Sequence, residues 1–359
     1  MKKTIVLIST YNADCGIATY SRDLVLSLKK ENVNVFVIAE AKHRDLIPKS
    51  EILEEIPVYR VWKRDAAYES QFGLSSIVRL LKNCKVLPDI VHIQHEFGIF
   101  PDNAGFWRLI DELSTMKIAV AITLHTVMPP PANIGFFRLF NNNVKIISHT
   151  NAARAILNNY YPFATYCIPH GVPQILLAPE STEYVNFMCL GFISPSKGHG
   201  DIIKAFAETW EHSGGCKLHI VGLCRDLGYL DKLNSQITSL ALQDHILIDE
   251  GFKPAKEIET YLNTAQVIVL GGGRTSPFSA SGQLAQAIGA GLPVIAKNIP
   301  IYRSQPSPSV LYYDDSKECA LFMKACLNKD TRKELSNHAG FITFDEAAKK
   351  HLEVYFGVC

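Results

Sequence analysis

The chain has 359 residues, 47% of them hydrophobic and 20% charged, the composition expected of an ordinary globular protein with room for two domains. Its 36 basic and 35 acidic residues leave a net charge of +1, so no global field draws it to nucleic acid or to an anionic membrane, although a local patch is not excluded. Met1-Lys2-Lys3 and the short apolar run after it give way to polar Thr10, Asn12 and Asp14, which reads as a first strand rather than a signal peptide. No apolar stretch reaches the ~20 residues of a membrane span. The nine cysteines are scattered, with no C-x-x-C pair, as expected of reduced thiols in a cytoplasmic protein.

In chain order, residues 4–9 (TIVLIS) form an uninterrupted apolar run, the pattern of a buried strand. A polar loop with Gly16 follows, and residues 17–30 carry apolar side chains at helical spacing. Strands are predicted at 33–38, 89–93, 118–124 and 144–148, with helices at 74–83 and 106–115. The series restarts with strands at 187–190, 217–221, 246–248, 267–270 and 293–296, and helices at 200–210 and 281–288. Such alternation implies parallel sheets covered on both faces. The proline-rich segment Pro169-His170-Gly171-Val172-Pro173 suits a stiff hinge between two halves. The boundary is placed near 175.

Ligands of open parallel sheets bind beyond the carboxyl ends of the strands, so the segments just after each strand are the place to look. Tyr11 and Gly16-Ile17 lie between the first strand and helix. There glycine permits close approach and free helix N–H groups suit an anion, but the segment is not G-x-G-x-x-G. His92-Ile93-Gln94-His95-Glu96 leaves a strand end. Its His-x-x-His spacing lacks a third and fourth ligand, so no metal site is assigned and a polar wall is the reading. His125, in Thr123-Leu124-His125-Thr126, is either a hydrogen-bonded core histidine or a contact for a sugar hydroxyl. Ser194-Pro195-Ser196-Lys197-Gly198 sets a lysine among small residues before a helix, as a point charge for phosphate; it is not a Walker loop. The most informative segment runs from Gly271-Gly272-Gly273-Arg274 to Ser279-Ala280-Ser281-Gly282. Three glycines, several hydroxyls and one arginine meet a helix N-terminus, a mouth suited to a diphosphate.

Taken in order, these segments resemble the retaining glycosyltransferases of family 4, which have the GT-B fold. The matching residues are Cys15-Gly16-Ile17-Ala18, the Lys197 motif, and the stretch from Ser279 through Gly291-Leu292-Pro293-Val294-Ile295. His95-Glu96-Phe97-Gly98, Leu124-His125-Thr126-Val127 and Ile168-Pro169-His170-Gly171-Val172 are similar to one subgroup. The resemblance implies an α/β architecture of two Rossmann-like domains whose parallel sheets face a central cleft. Residues 1–174 would form the acceptor side, 175–340 the donor side, and 341–359 a helix crossing back to the first domain. Two departures stand out. The group's paired glutamates appear as Phe278 and Gln286, and its arginine before the lysine motif appears as Phe192.

The implied reaction moves a sugar from a UDP- or GDP-linked donor to a hydroxyl acceptor with retention of configuration, without metal or tightly bound cofactor. The catalytic residues implied are His125, Lys197 and Arg274. The donor-binding residues are Gly16, Ile17, Lys197, Phe252, Lys253, Arg274, Ser279, Ala280, Ser281, Gly282 and Gln286. Tyr11, His95, Glu96 and His170 would line the acceptor side. A glycan or polysaccharide precursor is the expected acceptor; a small metabolite or a hydroxylated nucleobase in DNA are alternatives. An inactive GT-B-like binding subunit, suggested by the missing glutamates, is the rival from another class, and a nucleotide-sugar epimerase is a second.

Overall fold

The computed structural model describes residues 2–100, 104–128, 144–160, 164–177, 183–273, 276, 278–304 and 307–357. Residues 178–182, and Arg274, Thr275 and Pro277, lie outside them. The chain divides into two compact units. Unit 1 comprises Met1–Gly171, Phe278–Ala280 and Phe344–Cys359, and unit 2 comprises Val172–Pro277 and Ser281–Thr343.

Unit 1 is built from β1 (Lys3–Ser9), α1 (Gly16–Lys30), β2 (Val33–Glu40), β3 (Lys49–Leu53), β4 (Ile56–Trp62), α2 (Ser75–Lys82), β5 (Ile90–His95), α3 (Ala104–Thr115), β6 (Ala119–Leu124), β7 (Lys145–Ser148), α4 (Asn151–Tyr160) and β8 (Thr165–Cys167). They form an eight-stranded sheet in the order β3-β4-β2-β1-β5-β6-β7-β8. The pairing is parallel except for β3, which runs antiparallel to β4. The sequence reading has no β3–β4 hairpin. Its turn, Glu54-Glu55, takes φ values of 50° and 62° without glycine or asparagine, so the usual turn signal is missing. Arg22 grips the Glu54 carboxylate and Lys29 that of Glu55, tying the turn to α1.

The two faces of the sheet follow from the period of two along each strand. Val91 and Ile93 of β5 face the main core with Ile77, Phe106 and Leu157. On the opposite face lie His92 and Gln94, both fully buried. The last helix of the chain packs against α1 and sets Tyr355 and His351 against His92.

Unit 2 is built from β9 (Val185–Leu190), α5 (His199–Ser213), β10 (Cys216–Gly222), α6 (Leu227–Ser239), β11 (Ile246–Glu250), α7 (Ala255–Thr264), β12 (Val267–Leu270), α8 (Gly282–Gly289), β13 (Val294–Lys297), α9 (Pro300–Arg303), β14 (Val310–Tyr313), α10 (Ser316–Ala325) and α11 (Lys329–Leu335). The last helix, α12 (Phe344–Phe356), belongs to unit 1. The six strands pair in parallel in the order β11-β10-β9-β12-β13-β14. Phe187 and Cys189 pack against α5, α6 and α10, while Met188 and Leu190 pack against α7, α8 and α9. A parallel sheet buried on both faces explains why its strands read as unbroken apolar runs.

The eight described cysteines are unbridged. Among the described residues, no helix is long and apolar enough to cross a membrane.

Candidate functional site

In unit 2 the loops after β9 and β12 interlock at the carboxyl edge of the sheet. After β9 the chain turns through Gly191 (φ 115°) into a 3-10 turn, Pro195–Lys197, and Gly198 (φ 66°) opens α5. The Gly272 N–H donates to the Lys197 carbonyl at 2.7 Å. A Cβ on Gly271 would overlap the Lys197 carbonyl, and one on Gly272 the Ser196 carbonyl. The first two glycines of the run therefore let two backbones touch, a packing duty beside the ligand role that the sequence reading favoured.

That packing fixes Lys197. Its Nζ donates to Gln283 Oε1 at 2.7 Å, and the Gln283 amide in turn donates to the Leu190 carbonyl. Gln283 was not singled out from sequence, although its place on the first turn of a helix facing the lysine loop is the available signal. Gln286, one turn on, is partly buried, and its side chain makes no hydrogen bond among the described residues.

Three other expected donor contacts are placed differently. Ser281 Oγ accepts the Leu284 N–H at 3.2 Å and caps α8. Ser279 is buried, bridges to Thr126 and donates its hydroxyl to Thr126 Oγ1 at 3.3 Å; with Phe278 and Ala280 it clusters with unit 1. The hydroxyls of both serines thus serve the fold, while Gly282 is exposed at the helix start. Lys253 Nζ donates to Asp249 Oδ1 at 2.7 Å, and the Tyr261 hydroxyl donates to the same carboxylate. The lysine, and then the tyrosine, hold the Asp249 carboxyl below its ordinary range. Lys253 is thereby an ion-pair partner, and neighbouring Phe252, 38% exposed, is the residue with a free face.

In unit 1 the described histidines at the carboxyl edge are largely buried. His125 is only 8% exposed; its Nε2 lies 2.8 Å from the Gln94 side-chain amide and its Nδ1 3.2 Å from His149 Nε2. His149 Nδ1 is 3.0 Å from the Ile168 carbonyl, and His92 meets Thr123 at 2.8 Å and the Tyr355 hydroxyl at 2.5 Å. Burial pushes His149 down to about 3 and lowers His92 and His125 far below their usual value, so all three rings are neutral.

One proton arrangement satisfies this chain. The Ile168 carbonyl only accepts, so His149 Nδ1 carries the proton and its Nε2 accepts from His125 Nδ1–H. His125 Nε2 is then an acceptor, met by the Gln94 NH2 group. This requires the Gln94 amide, which stands with Oε1 toward His125 and Nε2 toward His92, to be turned over, so that its oxygen accepts from His92 Nε2–H while His92 Nδ1 accepts from Tyr355. Both nitrogens of His125 are spent within the fold. The geometry therefore favours the core-histidine alternative for His125.

His95, expected on the acceptor side, sits instead among Phe97, Phe100 and Phe106, and burial pushes it to about 4. As residue i+3 of a strand it faces away from His92, so the His-x-x-His spacing cannot converge on one ion. Glu96 accepts from the Thr126 hydroxyl at 2.7 Å. His170 is half-buried, with Nδ1 2.7 Å from the Gly171 carbonyl, and burial lowers it to about 4. Tyr11 is buried, and its hydroxyl has no partner among the described residues. Gly16 opens α1 behind Cys15, with no side-chain cap and open space where a Cβ would stand, so the Gly16 and Ile17 amides face outward. Arg274 lies outside the described residues.

The model for Glycosyltransferase Family 4 matches residues 15–174, and the model for Glycosyl transferases group 1 matches residues 178–310. No curated protein matches the chain. Among solved structures, the chain is similar to a glycosyltransferase from Rickettsia africae, with 16% identity, TM-score 0.73, and 99% of this chain and 98% of that chain covered. It is also similar to HepE of Anabaena, with 15% identity, TM-score 0.71 and 99% of each chain covered. The catalytic domain of starch synthase IV from Arabidopsis thaliana gives 11% identity, TM-score 0.70 and 99% of each chain. At such identities the likeness carries the fold, and the two family models carry the membership. The chain belongs to the family 4-like glycosyltransferases, with the two Rossmann-like domains of the GT-B fold.

Proposed function

We propose that this glycosyltransferase draws its sugar from a nucleotide-diphosphate donor, UDP- or GDP-linked, with residues 175–340 as the donor side. The observation that carries this reading is the fixed Lys197. A lysine clamped by a neutral amide and by two loops in backbone contact presents a preset positive charge where the sheet strands end. The glycines around it and the open start of α8 at Gly282 add N–H groups for phosphate oxygens. Phe252 offers its exposed face to the base. HepE of Anabaena is crystallised with UDP and glucose, and the Arabidopsis starch synthase with ADP and acarbose, which supports the same class of donor here.

Transfer proceeds with retention. The bond from the anomeric carbon to the diphosphate breaks as the acceptor oxygen adds from the same face, and the departing diphosphate oxygen takes the acceptor proton. Lys197, with Arg274, stabilises the charge that develops on the leaving group, so catalysis is positioning plus electrostatics and needs neither a protein nucleophile nor a metal. The acceptor is a hydroxyl of a glycan or polysaccharide precursor. Residues 1–174 form its side, with Glu96, His170 and Tyr11 near the strand ends. His125 orients this edge through its hydrogen bonds rather than touching the sugar.

A thermal-shift panel of nucleotide sugars tests the donor. Ligand at about 100 times its Kd adds about 2.7 kcal/mol to a folded state it binds selectively, a readily measured rise in Tm. UDP- or GDP-sugars are expected to give that rise; no shift with any nucleotide sugar contradicts the reading.

A further inference from the structure

Arg225 stands just beyond the carboxyl end of β10, exposed, with no hydrogen bond or carboxylate partner among the described residues. The neighbouring Asp226 does not neutralise it; that carboxylate accepts the Tyr229 N–H and caps α6. The guanidinium instead lies 5.6 Å from the ring centroid of Phe192, itself 43% exposed at the end of β9.

This pairing is built into the backbone. Gly191 N–H donates to the Val221 carbonyl at 2.9 Å and Ile193 N–H to the Leu223 carbonyl at 2.9 Å, and Ile193 bridges Cys224 in parallel. The Cys224 N–H is fixed in turn on Glu250 Oε1 at 3.1 Å. A Cβ on Gly222 would overlap the Gly191 carbonyl, so the two loops are in direct backbone contact. An arginine resting on an aromatic face keeps its forked donors outward and loses part of its freedom before any ligand arrives. Lys197 stands on the same 191–198 loop as Phe192.

We propose that Arg225, seated on Phe192, is a further binding residue for the donor diphosphate beside Lys197 and Arg274. This rests on the nucleotide-sugar reading above. A planar fork suits two phosphate oxygens at once, which a lysine point charge does not.

The test is equilibrium binding of UDP, GDP and the parent nucleosides uridine and guanosine to the full chain by calorimetry, for wild type, Arg225→Ala and Arg225→Gln. Arg225→Ala is expected to weaken the preferred diphosphate about 10- to 100-fold, the scale of a lost charge-assisted hydrogen bond, and to leave its nucleoside within about twofold. Arg225→Gln, which keeps much of the side chain but not the charge, behaves like Arg225→Ala. Adding Phe192→Arg to Arg225→Ala restores most of the diphosphate affinity. Unchanged diphosphate affinity in both single variants overturns the assignment of Arg225 and leaves the donor reading standing. An equal loss for diphosphate and nucleoside also overturns it, since that marks a merely structural role. Failure of wild type to bind either diphosphate overturns the donor reading and this inference together.

Discussion

Two parallel sheets end in two different edges. In unit 1 the strand ends carry histidines, and the rings are buried, neutral and hydrogen-bonded to one another and to the backbone. In unit 2 the strand ends carry glycines that bring loops into contact, an immobilised lysine, an unpaired arginine and two exposed phenylalanines. A histidine at a strand end is thus not in itself a reactive group. What matters is whether its nitrogens have other work, and for His92, His125 and His149 they do.

The largest effect should separate the edges by activity. Lys197→Ala is expected to lower turnover about 100- to 1,000-fold, the usual loss when one preset charge or donor is removed from a transition state, with an unchanged circular dichroism spectrum. His125→Ala should mainly lower stability, by about 1–3 kcal/mol in urea unfolding, because it strands Gln94 and His149 in a buried chain. A loss of turnover for His125→Ala matching that of Lys197→Ala, in a variant as stable as wild type, would break the comparison.

Acid should separate the edges by stability. A histidine whose folded pKa lies below its unfolded value near 6.5 contributes stability that is complete above about pH 6.5 and is lost as pH falls toward the folded value. In unit 1 burial lowers His95, His170 and His351 to about 4 and His149 to about 3, and it lowers His92 and His125 as well. Unit 2 has His199 at about 4, with His219 and His338 also lowered. Between pH 6.5 and 5, unit 1 should lose up to about 1 kcal/mol per buried histidine per pH unit, and unit 2 less in total. Hydrogen exchange resolved by segment reads the two slopes; equal slopes would contradict the contrast.

Much of this was legible in the sequence. Unbroken apolar runs such as residues 267–270 and 187–190 give the buried parallel strands almost to the residue, because both faces of each sheet are covered. The β3–β4 hairpin escaped because two glutamates, held by Arg22 and Lys29, take the place of the usual turn residues. Lys197 was singled out by its small neighbours as a point charge for phosphate. Gln283 and Arg225 were not, because each acts through a partner far off in sequence, Lys197 in one case and Phe192 in the other. The histidine chain was invisible for a related reason. His92 and His149 are joined only when β5, β6 and β7 align, and only then does His125 lose its free nitrogens.

Smaller effects sharpen the picture. Gly222→Ala is expected to cost about 2–4 kcal/mol, since its Cβ would strike the Gly191 carbonyl at a left-handed φ of 149°. Gly16→Ala, with open space, should stay within about 0.5 kcal/mol of wild type in urea unfolding. Gln283→Ala should raise the donor KM about tenfold by loosening Lys197. Gln286→Ala should raise it less than about threefold, the scale of one neutral hydrogen bond.

The most direct measurement is amide hydrogen exchange of the wild-type chain with and without saturating UDP or GDP. The account predicts slower exchange in residues 191–198, 223–226 and 271–273 of unit 2, and none attributable to nucleotide in 90–95 or 119–125 of unit 1. Slowing confined to the histidine strands of unit 1, with the unit 2 loops unchanged, would contradict it.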